Sequence, residues 1–368
     1  MLFTVKLPDI PGFPPMEALL GAVVAALIFF CLAAMAFGPL IAVACEALGK
    51  ARKRVFLIKA ARQSAAMSLF FALIAYIALG GLVYWLLADS PDIFSGPFGK
   101  PLAALCAVCA VAFVLLLLYF SAWKQNGMPG FTHTLCGVLA WLAAAASFYG
   151  YQAFSHRYIY YLSRPVPLES LAAPEGDIPA VPLPEAGNAV LPPEGSVPAA
   201  NPDDIFSFLD GFSVTELTDF FFAIPPESFF WPVMLHMLPL AIGTAGAFGA
   251  FWLLIRRKRN DFGRDYYAFA LPYSAKWALC GTLLSLGTVF YAYSRAGEFM
   301  LPELSHPPSI LLATLCCALP ALACLLWLLL IRSETPLRHK PGIVIALFAL
   351  LAGVSAQFLA LNEIIPSP

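Results

Sequence analysis

His236, in the run Met234-Leu-His-Met-Leu238, is the one histidine of five that lies well inside a long apolar stretch. An imidazole in such surroundings needs a hydrogen-bonding partner or a metal such as haem iron. Gly243, Gly246 and Gly249 follow it at three-residue intervals. Small residues at that spacing serve either close helix approach or the edge of a flat ring, a porphyrin or a quinone. His306 and His156 fall on the same side of the membrane as His236, so either can supply a second axial ligand, whereas His133 falls on the other side. Arg295, Glu298, Glu303 and His306 share one connection where polar groups can meet a quinone head. Cys106-Ala-Val-Cys109 has redox or metal spacing, but Ala110 follows where a c-type haem attachment requires His. All nine cysteines lie in or beside apolar stretches and read as small hydrophobes.

The elements that must position these groups follow from composition. The 368 residues are 61% hydrophobic and 12% charged, with a mean hydropathy of +0.81. A soluble chain carries about 25% charged residues. The deficit excludes an ordinary cytosolic enzyme and a disordered chain, and a net charge of −1 offers no field for nucleic acid. Eight stretches are long enough to cross a bilayer: 17–45, 64–88, 101–123, 132–155, 229–255, 273–294, 308–331 and 341–363. Lys and Arg concentrate in the connections 46–63, 256–272 and 332–340, with Lys124 in the short turn after the third span. The alternate connections hold only Lys6, Lys100, Arg157, Arg164 and Arg295. This asymmetry predicts eight spans with both termini on the outer face.

The predicted fold is all-α, a polytopic membrane protein of eight transmembrane helices arranged as two four-helix bundles, 1–164 and 229–368. Between them, 165–228 holds twelve prolines, eleven acidic residues and no Lys or Arg. Its first part reads as an extended Pro-rich linker. Asn201-Pro-Asp-Asp204 then announces a short helix with Ile205, Phe208, Leu209 and Phe212 on one face. Ser213-Val-Thr-Glu216 is a capping box opening a second, with Leu217, Phe220 and Phe221. Helices without basic residues suit a lid or a docking surface better than anionic lipid. Ionisable groups in the spans sit only near their ends: Glu17, Glu46, Lys276 and Glu363. The absence of mid-membrane charge argues against an ion-coupled transporter.

Three stretches carry a resemblance: Glu46-Ala-Leu-Gly-Lys50 through Arg62, Tyr119-Phe-Ser-Ala-Trp123 followed by His133, and Val233-Met-Leu-His236 running to Ala250-Phe-Trp-Leu-Leu-Ile-Arg256. Over about residues 15–365 the layout resembles subunit I of the cytochrome bd quinol oxidases. The resemblance implies a bacterial inner-membrane protein with periplasmic termini, belonging to a respiratory electron-transfer complex with other subunits; the acidic, Pro-rich insertion suits the docking of an outer-face cytochrome c. The resemblance further implies a b haem held by His236 and His306, beside Gly243 and Gly246, and quinol contacts at Arg295 and Glu298. The departures are specific. Span one has no His, span three no Glu and span seven no Met, and Gln357 stands where a Glu is expected, so the oxygen-reducing haems and terminal oxidase activity are not expected. The other reading of the same residues is a cofactor-free membrane anchor in which His236 is simply hydrogen-bonded.

Overall fold

A computed structural model describes residues 16–89, 98–124, 130–162, 214–257, 262–300 and 307–364. Eight long helices account for most of them: α1 (Met16–Ala51), α2 (Val55–Asp89), α3 (Gly99–Ser121), α4 (Phe131–Leu162), then, after the short α5 (Val214–Phe222), α6 (Phe230–Arg256), α7 (Arg264–Met300), α8 (Pro307–Arg332) and α9 (Lys340–Ile364). The protein is an all-α, multi-pass membrane protein. Seven of the long helices are long and apolar enough to cross a bilayer; α7 falls short of that apolarity. Its deficit comes from Lys276 and from Thr282, Ser285, Thr288 and Ser294. Thr282 and Ser285 are buried against neighbouring helices, and the Ser285 and Thr288 hydroxyls donate to carbonyls of their own helix. Thr282 and Ser285 are thus turned inward, with the Thr282 hydroxyl unpartnered among the described residues, while Lys276 and Ser294 stay exposed; the helix sits in the bundle beside α6 and α8.

The long helices pack as two rings. In the first, α1 packs on α2, α2 on α3, α3 on α4, and α4 returns to α1; in the second, α6, α7, α8 and α9 close in the same way. Helix α1 also packs on α6 and α9, so it touches four helices at once. A helix apolar all round belongs in such a central place, and Leu32, Ala33, Ala34, Met35 and Ala36 are wholly buried. One apolar core runs through both rings. Residues such as Ile77, Val111, Leu118, Leu284, Phe290, Leu329 and Phe348 are exposed on the outside, where lipid rather than water meets them.

Two connections are shorter than the sequence predicts. The basic segment 46–63 is nearly all helix, broken only at 52–54. There the Lys53 backbone takes φ 52°, and Lys53 N–H and Arg54 N–H donate to the Lys50 and Gly49 carbonyls at 3.3 and 2.9 Å. This is a Schellman stop with Lys where glycine is usual, which hid it from sequence. The polar connection 295–307 is likewise shortened, because α7 continues through Met300. Arg295 and Glu298 therefore stand in its last turns rather than in a loop. Of the two helices predicted in the insertion, the second is α5, and the first lies outside the described residues, as does the Pro-rich linker.

Candidate functional site

The basic connections mark one end of the bundle, and there three helices meet on a single carboxylate. Glu46, in the last turns of α1, is wholly buried. Its Oε1 accepts from Lys50 Nζ and from Thr134 Oγ1, both at 2.6 Å. Its Oε2 accepts from Tyr119 Oη and His133 Nδ1, both at 3.0 Å. Lys50 completes its three donors on Thr134 Oγ1 at 2.6 Å and the Gly130 carbonyl at 3.1 Å. All four acceptor positions of the carboxylate and all three ammonium protons are used. Since Nδ1 of His133 donates to the carboxylate, the tautomer is set, and Nε2 is left buried with no partner. The His133 ring packs against Tyr119 and Trp123 at 4.7 and 4.6 Å between centroids. A carboxylate-oriented imidazole of this kind can exchange a proton at Nε2; it also staples α1, α3 and α4 together. The Glu46/Lys50 spacing was legible in sequence, but nothing there signalled that Tyr119, His133 and Thr134 converge on it.

His236 lies on α6 toward the opposite end, and the structure gives it partners on two other helices. Its Nδ1–H donates to the Ser285 carbonyl of α7 at 3.0 Å, and its Nε2 lies 3.1 Å from the Gln357 side-chain amide of α9. The atom at that distance is Gln357 Oε1; with Nδ1–H already on the Ser285 carbonyl, a neutral imidazole pairs here once the amide is turned to present its NH2 to Nε2. Both ring nitrogens are engaged, so haem iron would have to displace Gln357. The space expected for a ring edge is also taken. A Cβ on Gly243 would meet the Thr282 backbone N at 2.6 Å, and one on Gly246 would run into the Ala278 backbone. Gly243 and Gly246 thus serve the close approach of α6 to α7, the first of the two roles their spacing allows. His156 is engaged with Ser228 Oγ at 3.1 Å. His306 lies outside the described residues, and so does the side chain of Glu298; Arg295 is half-buried near the end of α7. These residues do not fit a b haem at His236. Among the described residues, no group of three or more His, Cys, Asp and Glu gathers to hold a metal.

At this opposite end α5 is fastened across α3 and α4. Arg157 of α4 donates through Nη2 to the Ala223 carbonyl at 2.7 Å and to Asp219 O at 3.3 Å, and through Nε to Phe220 O at 3.3 Å. Its positive charge thereby meets the negative end of the α5 dipole. Tyr149 Oη donates to the Phe221 carbonyl at 2.9 Å, and Phe220 packs on Phe98 and Phe154. A nine-residue helix is unstable alone, so these contacts hold it. Arg157→Ala is expected to raise amide hydrogen exchange across α5 by about tenfold, the scale of one charge-assisted hydrogen bond. Unchanged exchange would show that the aromatic contacts suffice.

No protein-family model and no curated protein matches the chain.

Proposed function

We propose that the chain is an integral anchor subunit of a bacterial respiratory electron-transfer complex, similar in layout to cytochrome bd subunit I but without a haem at His236. The observation that carries the anchoring role is α5. It is clamped over the bundle by Arg157 while Val214, Glu216, Asp219 and Phe222 stay exposed. It also belongs to a 64-residue insertion, 165–228, that holds acidic residues and no Lys or Arg. Such a surface attracts a basic partner of the cytochrome c kind by electrostatic complementarity. The respiratory placement rests on the resemblance in the three stretches around Glu46, Tyr119 and His236. With the basic end toward the cytoplasm, α5 and both termini face the periplasm of the inner membrane. The same reading puts a quinol contact at Arg295 and Glu298. The hydrogen bonds on both nitrogens of His236 favour the cofactor-free form of the anchor.

Two measurements test this. The purified protein is expected to bind a basic cytochrome c with an affinity that falls about tenfold or more between 50 and 300 mM salt. Glu216→Gln with Asp219→Asn is expected to weaken binding several-fold further. Absent or salt-independent binding would remove the docking role. The reduced-minus-oxidised visible spectrum of the protein is expected to be flat, and a b-type α-band would restore haem ligation at His236.

A further inference from the structure

We propose that the seam between α2 and α6 at the basic end binds the phosphate of one anionic phospholipid. The two helices are tied across this seam by Trp252 Nε1–H, which donates to Gln63 Oε1 at 3.3 Å. Helix α2 begins at the basic end and α6 finishes there. One turn nearer that end than the Gln63–Trp252 bond therefore stand Lys59 on α2 and Arg256 on α6. Among the described residues neither cation has a carboxylate partner, and each lies over an aromatic face. Lys59 Nζ is 5.1 Å from the Phe262 ring centre, and Arg256 Cζ is 5.0 Å from that of Trp252. The Nε of Arg256 is buried with no acceptor. Arg257, 6.0 Å over Tyr267, adds a third positive charge to the rim. Helix α7 brings one carboxylate to this end in its first turn, the exposed Asp265, and it makes no ion pair with Lys59 or Arg256.

Unneutralised cations held at a bilayer surface on aromatic supports suit a phosphodiester. Guanidinium offers it paired donors, and ammonium offers a point charge. A lipid fits better than a free anion because the seam continues into the apolar zone. On the α2 face that carries Lys59 and Gln63, Phe70 follows. Its ring is 5.3 Å from Trp252 and remains 46% exposed. The head group meets Lys59 and Arg256, and an acyl chain lies along Phe70.

The test titrates dioleoyl phosphatidylglycerol or dioleoyl phosphatidylcholine into the detergent-solubilised full chain and counts bound lipid by native mass spectrometry. Each basic residue near a membrane surface contributes about a fivefold preference for anionic lipid. The first phosphatidylglycerol is therefore expected to bind at least about tenfold more tightly than phosphatidylcholine. Lys59→Gln with Arg256→Gln should remove most of that preference, leaving at most the about fivefold share of Arg257. The charge-keeping pair Lys59→Arg with Arg256→Lys should retain it, which separates lost charge from lost fold. Arg52→Gln with Arg54→Gln, exposed basic residues in the turn outside the seam, should also leave it intact. Equal binding of the two lipids by the wild type overturns the proposal, and so does a preference that the double Gln variant leaves undiminished. Displacement of the lipid by inorganic phosphate at equal concentration would show a free-anion site and overturn it as well.

Discussion

Glu46→Ala is expected to destabilise the protein by about 3 kcal/mol or more. Four hydrogen bonds end on this carboxylate, and side-chain bonds in membrane proteins average about 0.6 kcal/mol each. Together they account for roughly 2.4 kcal/mol. The remainder comes from leaving Lys50 without its counter-charge, a cost that reaches 3–5 kcal/mol for fully buried pairs. It is smaller here because the Lys50 side chain is 26% exposed. Glu46→Gln keeps the shape but presents an NH2 group to two of the four donors, so it should lie between wild type and alanine. Unfolding by titration with a denaturing detergent, followed by circular dichroism, measures the difference. A double-mutant cycle of Glu46→Gln with His133→Asn should show coupling, because the two groups share one hydrogen bond. If Glu46→Ala unfolds within 1 kcal/mol of wild type, the three-helix staple does not hold the bundle.

Gly281→Leu is expected to be about as damaging, and an identical change six residues along α7 serves as its control. A Cβ at Gly281 would fall on the backbone of Gly243 and within 2.6 Å of the Pro239 carbonyl. No flexible side chain stands in the way that could yield, so α6 and α7 must separate. Overpacking costs 1–3 kcal/mol where side chains can adjust, and a backbone-to-backbone clash belongs at or above the top of that range, about 3 kcal/mol. The separation would also stretch the bond from His236 to the Ser285 carbonyl, one turn away on α7. At Gly287 nothing lies within 4 Å of an added Cβ, so Gly287→Leu should stay within about 0.5 kcal/mol of wild type. Equal melting temperatures for the two leucine variants would show that α6 and α7 are not held by this close contact.

Both predictions rest on contacts between residues far apart in the chain, and that separates what was legible in the sequence from what was not. The membrane class, the helical spans and the basic end follow from local quantities. An apolar run of about 20 residues has few stable alternatives in lipid, and loop charge is counted residue by residue. Even the second amphipathic helix of the insertion announced itself through Ser213, Glu216 and the spacing of Leu217, Phe220 and Phe221. Helix ends were less legible. The stop at 52–54 uses Lys53 in a conformation whose usual signal is glycine, and α7 runs through Arg295 and Glu298 without an apolar pattern to show it. The polar sites were not legible as sites. His236 stood out because an imidazole in an apolar run is conspicuous, but its two partners lie 49 and 121 residues away. Gly243 and Gly246 fit a ring or a helix equally well until the backbone of α7 fills their face. Glu46 and His133 looked like ordinary polar residues at span ends. Only packing α1 against α3 and α4 brings Lys50, Tyr119, His133 and Thr134 around one carboxylate, because a charge buried in that place must find its donors wherever the fold delivers them.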